Sequence, residues 1–199
     1  MFELDFSLLP EIQRGKLMMG LPSDIEEDLG LLGLSETLDR LKGACRFIDE
    51  VSAHKDDWLN RAFFRAGLSE FRSVAQALHW DIGRQQVYSP EKSKNPLIHL
   101  IFRLRRITVY ASNLSTKKKE TSFSVFFDGK DHKANVNVLM IQNLEQTLSK
   151  EKLDEYKPED IQTICSWFEK NQSVFGASHV LSIGVLLYCL ELCEVYKTV

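Results

Sequence analysis

The stretch NPLIHLIFRLRRITVYASNLSTKKK, residues 95–119, decides the fold because it combines a helix start, a core-facing stripe and a dense group of cations. Asn95 followed by Pro96 is typical of a helix N-cap and a first-turn proline, whose missing N–H costs nothing at that position. Apolar residues then recur at spacings of three and four, which predicts a helix with one face on a core. These residues are Leu97, Leu100, Ile101, Leu104, Ile107, Ala111 and Leu114.

Polar residues are predicted to flank this core face on two sides. The members of one polar stripe are His99, Arg103, Arg106 and Tyr110, and Arg105 lies beside it. Guanidinium groups this close together repel one another and carry many donors, so they favour carboxylate, phosphate or nucleic-acid partners. The alternative is a solvated arginine face, followed by lysines at 117–119 that compensate the dipole at the helix C-terminus.

The segment 105–110, Arg-Arg-Ile-Thr-Val-Tyr, resembles the signature of the HEPN family. That signature is an arginine, a polar residue, three further residues and a histidine, on the third helix of a helical bundle. The similarity of architecture covers residues 35–195, and a long helix carrying Glu70 precedes the motif helix. The resemblance implies a metal-independent RNA site in a cleft between two protomers, where Arg105 contacts phosphate and Arg106 fills the polar position.

Tyr110 stands where the family has its catalytic histidine. The unperturbed pKa of tyrosine is about 10, against about 6.5 for histidine, so tyrosine is a poor proton acceptor at neutral pH. We therefore expect binding rather than catalysis, and no catalytic residue is assigned. The predicted binding residues are Arg103, Arg105, Arg106, Tyr110 and Glu70, with Glu70 facing the arginine helix.

Three functions follow from these features. The first is a non-catalytic HEPN-like protein that binds RNA, a nucleotide or a partner protein through this basic cleft. The second is a helical interaction or regulatory protein that uses a β-hairpin as its surface. The third is a divergent ribonuclease in which His99 or another base replaces Tyr110, but His99 and Tyr110 lie three helical turns apart, or roughly 16 Å.

Composition limits the choice further. A chain of 199 residues with 44% hydrophobic residues can bury a core as a single domain, 1–199. The net charge of −3 indicates that any nucleic-acid binding depends on a local patch. The four cysteines show no CxxC pair, which predicts reduced, buried thiols in a cytoplasmic protein without metal or cofactor.

The rest of the chain predicts an all-α bundle of at least four core helices with one inserted antiparallel β-hairpin. The hairpin is expected at 121–141, where apolar and polar residues alternate on both sides of Asp128-Gly129. The apolar segment 177–193 is interrupted by polar residues, so it suits the centre of a bundle or a dimer seam better than a membrane. A lone hairpin is marginal in water, and with the apolar last helix it predicts a homodimer.

Overall fold

A computed structural model of the protein describes residues 3–12, 20–51, 56–83, 87–110, 115–127, 130–150 and 156–197. As predicted, this part of the chain is mostly helical, with a single two-stranded antiparallel sheet between the fourth and fifth helices. The buried apolar side chains form one core cluster. The elements are α1 (Ser23–Leu31), α2 (Ser35–Glu50), α3 (Asp57–Ile82), α4 (Pro96–Tyr110), β1 (Ser115–Phe127), β2 (Lys130–Gln142), α5 (Leu144–Lys150), α6 (Pro158–Phe175) and α7 (Ala177–Lys197).

Helix α7 is the centre of the bundle. It packs against α1, α2, α4, α6 and β2, and it buries residues on nearly every side, Tyr188 and Cys189 among them. Its length and apolar composition also suit a membrane span, but half of its most apolar window is buried inside the protein. The predicted role as central helix is confirmed, so much of the surface that suggested a dimer seam already has partners within the chain.

Helices α2 and α3 approach closely at a glycine. A Cβ atom at Gly67 would lie 2.7 Å from Ile48 Cγ1 and 3.2 Å from the carbonyl oxygen of Ala44. Only a residue without a side chain fits such a contact, which accounts for a glycine inside a long helix despite its cost of about 1 kcal/mol relative to alanine. The two helices form the most extensive helix pair of the fold.

The hairpin is longer than predicted and is fixed to the bundle at its base. Its strands pair from Ser115 opposite Gln142 to Phe127 opposite Lys130. The buried Gln172 side chain on α6 accepts a hydrogen bond from the Ile141 backbone N–H and donates one to the Ile141 carbonyl, both at 2.8 Å. These two bonds satisfy the backbone groups of Ile141 on the outer edge of β2. The alternation of apolar and polar residues alone does not reveal this contact.

Two expectations for residues 96–119 are wrong. The lysines at 117–119 do not end a helix; they lie in β1, where Lys118 pairs with Asp57 at 3.2 Å and Lys119 donates to the Ser173 carbonyl at 3.2 Å. Nor do two polar faces flank the first turns of α4, because His99 is only 3% exposed. The segment before α4 and the helices packed on it enclose this half of the helix on all sides.

Candidate functional site

The solvent-exposed face of α3 has an unusual composition. Apart from Asp57, which pairs with Lys118, its exposed positions hold no acidic residue. Trp58 and Trp80 are 62% and 58% exposed, and together they are two of the three tryptophans in the chain. We call the following six residues the Trp–Arg face: Trp58, Arg61, Arg65, Arg72, Gln76 and Trp80.

Helical geometry explains how these residues come to share one face. An α-helix turns about 100° per residue, so the spacings of three, four and seven from Trp58 to Arg72 return each side chain to nearly the same side. The opposite side of α3 carries the core residues, including Phe64, Leu68 and Phe71. The helix therefore separates a mainly apolar face, which also buries Asn60, from a cationic and aromatic one.

Both ends of the Trp–Arg face are held in place by side-chain caps. The Asp56 carboxylate accepts a hydrogen bond from the Trp58 backbone N–H at 2.7 Å, which fixes the first turn of α3. At the other end, the Asp81 carboxylate accepts bonds from the backbone N–H groups of Thr37 at 2.8 Å and Glu36 at 3.1 Å. Asp81 thus ties the last turn of α3 to the first turn of α2.

An aromatic residue joins the Trp–Arg face to α4. The guanidinium carbon of Arg72 lies 5.3 Å from the centroid of the Phe102 ring, and that of Arg103 lies 5.5 Å from the same centroid. Cations at this distance from a ring are attracted by its quadrupole. Phe102 is buried and therefore provides a fixed ring at the junction of the two helices. Arg72 packs its guanidinium over this ring while the residue remains exposed to solvent.

The arginines of α4 differ in accessibility. The Arg103 side chain is only 11% exposed and lies 3.9 Å from the Glu91 carboxylate. Arg105 is half-buried, whereas Arg106 is exposed one turn beyond Phe102, on the side that faces α3. The side chain of Tyr110 lies outside the part of the chain whose side chains the structure describes, so the predicted grouping of Tyr110 with the arginines stays a prediction.

Glu70 lies on the α2 side of α3. Its carboxylate pairs with the Arg40 guanidinium at 3.0 Å, and it also packs against Gly43 of α2. Glu70 and Arg72 are two residues apart, which places them on nearly opposite sides of the helix. Arg72 contacts Phe102 of α4, whereas the described contacts of Glu70 are with Arg40 and Gly43 of α2.

His99 belongs to the protein interior. Its Nδ1 atom lies 2.7 Å from the Tyr156 hydroxyl, and burial, with the neighbouring charge of Arg103, lowers the pKa of His99 to about 4. At neutral pH the ring is therefore uncharged. The ring is also buried, so it does not contact the surface on which RNA would bind in the divergent ribonuclease hypothesis.

A buried polar network holds the segment that leads into α4. The Glu191 carboxylate of α7 accepts hydrogen bonds from the Tyr88 hydroxyl at 3.0 Å and the Ser93 hydroxyl at 2.9 Å. Ser93 in turn accepts from the Asn95 backbone N–H, and the Asn95 side chain caps α4 at Leu97 N–H, as predicted. Burial raises the pKa of Glu191. Its hydrogen-bond partners Tyr88 and Ser93 belong to the segment that it holds against α7.

A separate pocket lies between α5, α6 and the end of β2. Its volume is about 610 Å³, and its lining includes Glu145, Glu169 and Cys165. Burial, with the two glutamates nearby, raises the pKa of the Cys165 thiol to about 12, so the thiol is not a nucleophile at neutral pH. All four cysteines are buried, as predicted. Within the described ranges, no group of His, Cys, Asp and Glu side chains is arranged to hold a metal ion.

No protein-family model, curated protein or solved structure matches this chain. The resemblance to the HEPN family therefore rests on the motif and the helix order given above. The Trp–Arg face was missed from the sequence, although a signal for it exists in α3. That signal is the recurrence of Trp58, Arg61, Arg65 and Arg72 on one side of a helix whose other side is apolar.

Proposed function

We propose that this protein is a non-catalytic RNA-binding protein and that the Trp–Arg face is its principal binding surface. The observation that carries the proposal is that three arginines and two tryptophans occupy the exposed side of α3, whose one exposed acid is already paired. Arg106 extends this cationic surface onto α4. Phosphate oxygens are the natural partners of guanidinium groups, which bind them in a bidentate way.

The charge distribution supports a local binding surface. The whole chain has a net charge of −3, so the protein does not attract polyanions by its overall charge. Binding then depends on the arginines of this face, and each phosphate they neutralise releases counterions. We expect affinity for RNA to fall steeply as the salt concentration rises.

The absence of catalysis is part of the proposal. Tyr110 replaces the histidine of the family that the motif resembles, and a phenol does not accept a proton readily at neutral pH. Purified protein is expected to leave single-stranded RNA intact. Metal-independent cleavage that disappears in Arg105→Ala would contradict the non-catalytic role and favour the divergent ribonuclease.

Fluorescence anisotropy with labelled single-stranded RNA tests the binding surface. We expect Arg61→Gln, Arg65→Gln and Arg72→Gln combined to weaken binding by about a thousandfold or more, because each charged hydrogen bond to phosphate contributes about 1.5–3 kcal/mol. The logarithmic salt slope should fall by about two, since each single-strand phosphate contact contributes about 0.7.

A matched control removes the same number of cations elsewhere. Arg46, Lys94 and Lys170 are exposed and lie outside α3, so their combined replacement by glutamine should leave affinity nearly unchanged. Equal losses in the two triple variants would show that only overall charge matters. No salt-sensitive binding by the unmodified protein would overturn the RNA-binding function.

The alternative, an interaction protein that uses the hairpin, has one observation in its favour. The base of the hairpin is buried against α6 and α7, whereas Val136 on β2 is 39% exposed, with exposed Asn135 and Asn137 beside it. This exposed strand and the family resemblance are the remaining bases for the proposed homodimer. Light scattering at tens of micromolar protein tests that proposal, and a monomeric mass would contradict it.

A further inference from the structure

The two exposed tryptophans call for an explanation beyond charge. Trp58 and Trp80 are more than half exposed, while the phenylalanines Phe64 and Phe71 of the same helix are buried. Trp167, the remaining tryptophan, is half-buried and packs against the core. A helix whose only task was to bind phosphate would gain nothing from large indole rings in water.

From this arrangement, and resting on the proposed function, we propose that the Trp–Arg face selects single-stranded nucleic acid by stacking bases on Trp58 and Trp80. Every base has a π-face, so stacking on an aromatic side chain is tolerant of sequence. The arginines between the two rings contact the phosphates. A duplex hides its base faces and cannot use the tryptophans.

The spacing of the rings sets the length of the bound strand. Trp58 and Trp80 are 22 residues apart. At a rise of about 1.5 Å per residue, that places them about 33 Å apart along α3. A stacked strand rises about 3.4 Å per nucleotide, so about ten nucleotides span both rings.

The linear order of residues along the face favours a nucleic acid over a protein partner. Protein-binding hot spots are also enriched in tryptophan and arginine, but they cluster near the centre of a compact, well-packed patch. On this face only arginines and Gln76 lie between the tryptophans, and no exposed aliphatic residue is present at the described positions of α3. A linear ligand with repeated anions and flat rings matches this order, and the Asp56 and Asp81 contacts hold the helix ends that carry both rings.

The test compares variants that keep or remove the flat ring. Trp58→Leu with Trp80→Leu retains apolar bulk but cannot stack, and it should bind a single strand of about twelve nucleotides more weakly by about tenfold or more. Trp58→Phe with Trp80→Phe should restore most of the affinity. Leu31→Ala is the control, because Leu31 is 79% exposed on α1 and lies outside the face.

An abasic strand of the same length provides an independent measurement. It has the same phosphates without bases, so it should bind the unmodified protein as weakly as the intact strand binds the double leucine variant. Strands of about four nucleotides, too short to reach both rings, should also bind weakly. Tryptophan fluorescence should be quenched by the intact strand but not by the abasic one.

The outcomes separate this inference from the function on which it rests. Equal binding of intact and abasic strands, with the leucine variant unaffected, would overturn base stacking and leave a general polyanion-binding face. Binding of duplex as tight as single strand would overturn it in the same way. If no strand binds and the arginine variants have no effect, both proposals fall, and a protein ligand for the Trp–Arg face becomes the better account.

Discussion

Helices α3 and α4 each carry three arginines, but these arginines differ in their exposure to solvent. On α4 the arginines lie within four residues of one another, and only Arg106 is exposed. On α3 they are dispersed over twelve residues, and all three are exposed on the same side. The comparison shows that accessibility follows position around the helix, whereas local density in the sequence does not predict it.

The difference arises from what each helix packs against. The first half of α4 is enclosed, so its polar residues His99 and Arg103 became part of the interior, with Tyr156, Phe102 and Glu91 as neighbours. Helix α3 packs with one side only and leaves the other to solvent. Polar groups in the first half of α4 should therefore affect folding stability, and those on the Trp–Arg face should affect binding.

Among single substitutions, the largest expected effect is a charge reversal in the middle of the Trp–Arg face. Arg65→Glu should weaken RNA binding by about a hundredfold at low salt, because it removes a cation and repels phosphate. Arg106→Glu, at the edge of the surface, should weaken it by about tenfold. Anisotropy titrations measure both, and Arg46→Glu on α2 is the control. A greater loss of RNA affinity in Arg106→Glu than in Arg65→Glu would show that α4, and not α3, carries the main binding surface.

Acid should act on stability through α4. The pKa of His99 is about 4 in the folded protein, below the value of about 6.5 in the unfolded chain, so the unfolded state binds the proton more readily. The stability due to neutral His99 is complete above pH 6.5 and is lost as the pH falls toward 4, by about 3 kcal/mol.

Urea unfolding of the unmodified protein and of His99→Asn at pH 7 and pH 4.5 measures this effect. The variant is expected to lose less stability than the unmodified protein between the two pH values. Identical losses would show that His99 does not carry the acid sensitivity.

Arg103→Gln should reveal a smaller difference between the roles of α3 and α4. Its guanidinium is nearly enclosed against Phe102 and Glu91, so the free energy of unfolding should fall by about 1–2 kcal/mol. RNA affinity should change by no more than about twofold. Arg106→Gln should show the opposite pattern, with a larger loss of binding and a smaller loss of stability. A large binding defect in Arg103→Gln would place this residue in the RNA site.

The smallest effect concerns the buried side of α3. Gly67→Ala places a methyl group against Ile48 and the Ala44 carbonyl, which costs about 1–3 kcal/mol and is partly offset by better helix propensity. Gly30→Ala on α1 is the control, since a Cβ there meets nothing within 4 Å. Thermal unfolding should show a lower midpoint for Gly67→Ala and an unchanged or higher one for Gly30→Ala.

Much of the fold was predictable from the sequence, because hydrophobic periodicity and capping are local. The cap at Asn95, the central helix α7 and the hairpin were all predicted in this way. Local patterns could not show which helix faces are buried by segments that are distant in the sequence. His99 was assigned to a polar stripe because nothing in the sequence reveals that Tyr156 and the segment before α4 would cover it.

The candidate site was harder to predict for a related reason. A cluster such as Arg103, Arg105 and Arg106 is conspicuous in a printed sequence, whereas residues three to seven positions apart on a long helix are not. The partner of Arg72 also comes from another helix. Glu70 illustrates the same limit, since its neighbour Arg40 is thirty residues away in the chain.

One RNA titration of two double variants shows directly which helix carries the binding surface. Arg61→Gln with Arg65→Gln removes two charges from α3, and Arg105→Gln with Arg106→Gln removes two from α4. We predict that affinity for single-stranded RNA falls at least about tenfold further in the α3 variant than in the α4 variant. An equal or greater loss in the α4 variant would contradict binding at the Trp–Arg face and return the binding site to α4.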